Sequence, residues 1–265
     1  MQTEEIAKLV SEVLKRLEAR PEFGAASEPR SVSQGPSSDA VVHPNVDSAV
    51  AAAAKAQIIF QELGLEQRHR IIKAMRKAAI ANAERLAQSA RAETGMGRVE
   101  DKIQKNMVCA LRTPGPEDLQ SKAFTGDKGL TLVEWGPYGV VAAITPSTNP
   151  AATVINNSIS ILSAGNAVVF AQHPSAAKCS TETMRLLTQA IVEQGGPAGL
   201  ITTVAPASQE TTKALLAHPG VRVNMVTGGP AIVKVAMTVG KTCKTIAAGP
   251  GNPPAVVDET ALFPK

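Results

Sequence analysis

The chain of 265 residues is 44% hydrophobic but only 3% aromatic. That is enough apolar material to bury a core, and small aliphatic side chains suit packed helices and sheet better than an all-β sandwich. Its 27 basic and 23 acidic residues leave a formal charge of +4, spread through helical stretches without basic blocks, which argues against a nucleic-acid partner.

In chain order, Ile6, Leu9, Val10, Val13, Leu14 and Leu17 recur at three- and four-residue spacing, so residues 1–18 are predicted to hold a short amphipathic helix. Glu4, Glu5, Lys8, Glu12, Lys15 and Arg16 interrupt it, unlike the apolar region of a signal peptide. Residues 19–44 are rich in Ser, Pro, Gly and Ala and read as a flexible linker. A helix tethered in this way must find cover for its apolar face on another copy, on another protein or on its own domain. Helical patterns follow over residues 45–63 and 65–94, with Asp47 placed to cap the first and Gly64 between them, and a third over residues 100–111 stops at Thr113, Pro114 and Gly115. Within them Arg68, Arg70, Lys73, Arg76 and Lys77 fall at helical spacing and read as a solvated face. Gly126 and Asp127 mark a turn into a strand over residues 130–135.

From Gly139 the pattern changes to strands alternating with helices. Strands are expected over residues 140–144, 167–170, 200–204, 221–226, 244–248 and 255–257, and helices over 152–163, 179–194, 209–217 and 230–240. Five or six strands with crossover helices predict an α/β fold over residues 45–260, a doubly wound, mostly parallel, Rossmann-like sheet behind an N-terminal helical layer. No internal repeat is apparent, and no apolar run reaches the roughly 18–20 residues of a membrane span. The three cysteines, Cys109, Cys179 and Cys243, are odd in number and lack metal-ligand spacing, which points to a reducing, cytoplasmic setting without a bound metal.

Ligands of such sheets bind beyond the carboxyl ends of the strands. The first loop there is Thr145, Pro146, Ser147, Thr148, Asn149 and Pro150, in which the Asn149 amide can donate to a developing oxyanion or simply form a turn. His173 and Pro174 follow the next strand, His173 as a donor to a nucleotide or as a cap. Thr227, Gly228, Gly229 and Pro230 join a Val-rich strand to a helix, where glycines permit close approach and the helix N-terminus offers free N–H groups to a pyrophosphate. The Gly/Pro-rich stretch through Gly249 and Gly251 makes a fourth, rigid loop. These loops contain no carboxylate pair, metal cluster or serine nucleophile with a base, so they support a binding domain more readily than a complete active site.

The ordered series Glu93-Thr94-Gly95-Met96-Gly97, Thr145 to Pro150 with Asn156-Asn157, Ala164-Gly165-Asn166, Thr227-Gly228-Gly229 and Gly249-Pro250-Gly251-Asn252-Pro253-Pro254 resembles the CoA-acylating acetaldehyde and propionaldehyde dehydrogenases of bacterial microcompartments. The resemblance implies an aldehyde dehydrogenase cofactor domain with NAD as cofactor and coenzyme A and a short aldehyde as substrates. A cysteine thiolate would carry the acyl group, and Asn149 would help hold the oxyanion. It also implies that the Thr227-Gly228-Gly229 turn meets the cofactor pyrophosphate, that residues 164–174 approach the adenosine ribose, and that the enzyme is homo-oligomeric.

Ala247 and Ala248 stand where hydrolytic relatives carry a glutamate that activates water, so a thiol acceptor is expected. His173-Pro174-Ser175-Ala176 replaces the usual Lys-Pro-Ser-Glu and removes the carboxylate that would grip the ribose hydroxyls, which excludes NADP less firmly. The catalytic cysteine of the family falls beyond residues 258–260. None of Cys109, Cys179 or Cys243 matches it, so the nucleophile is expected to be missing from a chain cut short at residues 261–265. Of the three, Cys179 has the position that most favours a thiolate, at a helix start. The resemblance further assigns residues 1–18 to encapsulation through a shell protein. A non-catalytic nucleotide-binding or microcompartment assembly protein is the competing expectation.

Overall fold

The computed structural model describes residues 40–239, 243–251 and 253–262. The amphipathic helix of residues 1–18 and the linker up to residue 39 lie outside them. Six parallel strands form the main sheet: β1 (Val42–His43), β4 (Val140–Ile144), β5 (Ala167–Ala171), β6 (Ile201–Val204), β7 (Val221–Thr227) and β8 (Lys244–Ala248), in the order β1-β6-β5-β4-β7-β8. A separate antiparallel ribbon pairs β2 (Lys122–Gly126) with β3 (Gly129–Val133). All five residues of β4 are buried, as expected for the central strand of a sheet covered on both faces.

The helical layer is α1 (Val46–Glu62), α2 (Leu65–Ala81), α3 (Ala83–Thr94) and α4 (Val99–Arg112). The crossovers contain α5 (Pro150–Ser163), α6 (Ala177–Glu193), α7 (Gln209–Ala217) and α8 (Pro230–Val239). On one side α5 and α6 pack on β5 and β6, with α2, α3 and α4 against them; α1 and α7 pack on the sheet and on each other, and α8 lies on β7 and β8. The doubly wound α/β architecture is therefore the one expected from the sequence.

Four local expectations are corrected. Asn45, not Asp47, caps α1, its Oδ1 accepting from Ser48 N at 2.8 Å; Asp47 sits in the first turn and meets His218 Nε2 at 3.1 Å. The helix predicted over 65–94 breaks at Asn82, whose Nδ2 donates to Ala78 O at 2.9 Å, a side chain competing with the backbone ladder. The stretch taken as linker to residue 44 contains β1, held on β6 by Thr203 N to Val41 O at 2.7 Å and Ala205 N to His43 O at 3.0 Å. The strand expected after Asp127 does form, as β3, in a ribbon whose residues are all exposed. No strand forms over 255–257, where Val256 is 92% exposed, because among the described residues nothing pairs with it.

Candidate functional site

The strand order creates a crevice. The chain runs from β4 outward through β5 to β6 and then returns to lay β7 on the other flank of β4, so the loops after β4 and β7 diverge at a topological switch point. A cleft of about 890 Å³ opens at that end of the sheet, within the size range of small-molecule and cofactor sites. Of the loop residues singled out from the sequence, Thr145, Pro146, Ser147, Thr148 and Asn149 after β4, His173 and Pro174 after β5, Thr227, Gly228 and Gly229 after β7, and Gly249 and Gly251 after β8 line it, while Pro150 and Pro230 do not.

Sequence reasoning missed Ser208, the N-cap of α7, and Gln209, Thr212 and Lys213 within it, which close another wall. The signal for them was available, because their loop also follows a parallel strand. Lys213 is the single lysine or arginine lining the cleft, and no aspartate or glutamate lines it, among the described residues. Such a surface favours anions.

The glycine turn is shaped on both sides. Gly228 N donates to Ala248 O at 3.2 Å, tying the β7 turn to the end of β8, and a Cβ on Gly228 would come within 2.5 Å of Ile232 Cγ2. A Cβ on Gly229, Gly249 or Gly251 would meet no described atom within 4 Å, so the protein does not itself need these three to be small. Ala231 and Ile232, in the first turn of α8, also line the cleft, where helix N–H groups lack intrahelical acceptors. Bare backbone beside a helix N-terminus fits a pyrophosphate.

Asn149 occupies the N-cap position of α5, yet its side chain makes no capping bond. Instead its Oδ1 accepts from Lys105 Nζ at 3.2 Å and its Nδ2 donates to Thr148 Oγ1 at 3.3 Å. One amide hydrogen is thus left for a ligand. Behind it, Lys102 Nζ donates to Thr148 O at 2.9 Å. Burial, and secondarily the charge of Lys105, lowers the Lys102 pKa. At the end of β4, Thr145 Oγ1 is buried without a hydrogen-bond partner among the described residues, a polar atom facing the same loop.

His173 does cap a short turn: its Nδ1 accepts from Ser175 N at 3.2 Å. A neutral ring with Nδ1 as acceptor carries its proton on Nε2, so the exposed edge of His173 is a donor. The cap and the donor roles are compatible.

The cysteines are placed differently from the expectation for Cys179. It is fully buried, its Sγ lies 3.7 Å from Leu86 O, and burial followed by the charge of Glu93 pushes its pKa up. Glu93 occupies the helix start itself, accepting from Lys178 N at 2.9 Å and Cys179 N at 2.7 Å, so a carboxylate cancels the positive end of α6 that would have favoured a thiolate. Burial raises Cys109 and Cys243 too. None of the three lines the cleft, and among the described residues no cluster of His, Cys, Asp and Glu could hold a metal.

The aldehyde dehydrogenase family matches residues 32–263. An acetaldehyde dehydrogenase (acetylating) of Salmonella typhimurium is 51% identical over 224 residues, covering 84% of this chain and 47% of that protein. Among solved structures, an engineered glycolyl-CoA reductase with bound NADP+ superposes with a TM-score of 0.80 at 45% identity, covering 85% of this chain and 51% of the other. A propionaldehyde dehydrogenase from the Clostridium phytofermentans fucose utilisation bacterial microcompartment gives 0.78 at 43% identity, covering 83% and 50%. The chain spans about half the length of the curated relatives it matches.

Proposed function

Because the chain belongs to the aldehyde dehydrogenase family, we propose that it supplies the coenzyme-binding and oxyanion-holding part of a CoA-acylating dehydrogenase acting on acetaldehyde or propionaldehyde. The observation that carries this reading is the cleft at the switch point, into which the glycine turn, the remaining amide hydrogen of Asn149 and an acid-free lining converge. Bound NAD would supply a hydride acceptor for the carbon of the aldehyde's thiol adduct, and coenzyme A a thiol that takes the acyl group and releases the first thiol.

The residues of this chain contribute binding and orientation. Gly228 and Gly229 with the first turn of α8 receive the pyrophosphate. His173 Nε2 and the residues around Pro174 receive the ribose, and the Lys213 wall receives the adenosine end. Thr145, Pro146, Ser147 and Thr148 shape the floor from which Asn149 Nδ2 donates to the oxygen of the attacked carbonyl. No carboxylate lines the cleft among the described residues, so water lacks a general base and a thiol is the better acyl acceptor. NAD is the expected cofactor, and the missing ribose-gripping carboxylate leaves NADP able to enter as well. The nucleophilic thiol of the reaction is none of Cys109, Cys179 and Cys243.

The surroundings of those cysteines also favour a second reading, a nucleotide-binding or assembly module that carries no catalytic thiol of its own. We assign residues 1–18 to docking on a microcompartment shell protein, on the strength of their amphipathic pattern and of the microcompartment relative, and we assign the exposed β2–β3 ribbon to contact between copies of the chain. The test is NADH formation from either aldehyde with NAD, with and without CoA, beside calorimetric titration of each coenzyme. Coenzyme binding without turnover by this chain accords with both readings, whereas CoA-dependent NADH from it would make one of its three cysteines the nucleophile and overturn the exclusion of Cys109, Cys179 and Cys243. Aldehyde oxidation to free acid without CoA would contradict both.

A further inference from the structure

Lys102 is only 6% exposed, and an ammonium taken from water without a counter-ion costs free energy. No carboxylate forms an ion pair with it or with Lys105 among the described residues, where the ion pairs fall elsewhere. Its hydrogen bond goes to Thr148 O, at 2.9 Å. Three residues on, and therefore on the same face of α4, Lys105 reaches Asn149 Oδ1 at 3.2 Å. Two ammonium groups thus converge on consecutive residues of one turn.

The segment before α4 is built around this arrangement. Gly97 has a φ of +69°, and a Cβ placed there would lie 3.5 Å from Lys102 Cε. Beside it, Met96 Sδ lies 3.9 Å from Ser147 Oγ. Residues 96–105 therefore buttress the turn of residues 147–149 from its protein side.

Resting on the reading of Asn149 as an oxyanion donor, we propose that Lys102 and Lys105 are positioning residues for its amide: Lys102 fixes the backbone of the turn, and Lys105 sets which end of the amide faces the cleft. An ammonium only donates, so it pairs with Oδ1 and turns Nδ2 toward Thr148 and the ligand. A cation on the amide oxygen also draws electron density from the nitrogen, which makes the remaining N–H a stronger donor to a developing oxyanion. A buried cation kept without an acid partner is thereby explained by the site it serves.

The test reads the amide directly in the full 265-residue chain, labelled with ¹⁵N-asparagine, with the Asn149 signals assigned by their loss in Asn149→Ala. Lys105 is exposed, so Lys105→Met should fold normally. It should move the Asn149 Nδ2 resonance upfield, and Lys105→Arg should restore most of the shift. Lys102→Met should broaden or double the Asn149 backbone amide signal while leaving the melting temperature unchanged or raised, because a buried charge has gone. Wild-type Asn149 signals in Lys105→Met would overturn the proposal, as would a Lys102→Met protein that melts lower with its Asn149 signal unaltered. The spectrum needs neither coenzyme nor aldehyde. An unresponsive amide would therefore remove the clamp and leave the coenzyme reading standing, whereas failure to bind coenzyme would remove that reading whatever the amide does.

Discussion

Each cysteine is held toward its thiol form by burial, and a thiol reacts far more slowly than a thiolate. Alkylation of the native protein by iodoacetamide at neutral pH is therefore expected to be slow, rising sharply on addition of denaturant; mass spectrometry counts the adducts, and rapid native labelling of Cys179 would contradict the burial argument. Lys102 carries a stability signature of its own. Its folded pKa lies below the ordinary lysine value, so between the two values the unfolded chain binds more protons and stability rises with pH. Denaturant titrations across the alkaline range should show this rise in the wild type and a flatter profile in Lys102→Met. Of these residue-level features, the place of Asn149 beside the cleft and the cap formed by His173, one of the two alternatives for that residue, were legible in the sequence. The lysines behind Asn149 were not, since their partners lie more than 40 residues away and ordinary helix spacing gives no sign of them.

At the scale of elements, Glu93 closes the start of α6 from a distant helix. Glu93→Ala should cost roughly 1–3 kcal/mol, as for a charged hydrogen-bonding cap, measured by urea denaturation. The β2–β3 ribbon exposes Phe124, Leu130 and Leu132, and the single tryptophan, Trp135, follows it at 68% exposure. Leu130 and Leu132 share one face of the ribbon and Phe124 lies on the other, and exposed apolar strand faces of this kind promote association. Sedimentation velocity should show self-association that Leu130→Ser with Leu132→Ser reduces, with Trp135 emission shifting to the blue as protein concentration rises in the wild type; identical sedimentation of the two proteins would count against the ribbon as a contact surface. Strands made of uninterrupted apolar runs, such as β4, were legible to the residue, as was α7. The two-residue β1 was not, because its place is fixed by bonds to β6 and not by any local pattern.

For the whole molecule, the alternation of strands and helices was enough to predict a doubly wound sheet and hence the end of it at which ligands bind. The neighbours of each strand were not readable, because strand order is set by long-range packing; the α7 wall was overlooked although its loop, too, follows a parallel strand. The central claim is that the glycine turn at the switch point receives a dinucleotide, and Gly229 isolates it. A side chain there meets no described protein atom within 4 Å but would occupy the space the pyrophosphate needs. The most direct measurement is calorimetric titration of NAD into the wild-type chain and into Gly229→Val, with the melting temperature of each recorded. Saturable binding to the wild type, lost or weakened at least about tenfold (about 1.4 kcal/mol) in a variant that melts at the same temperature, is the predicted result. Equal NAD affinity in the two proteins, or none in the wild type, would contradict it.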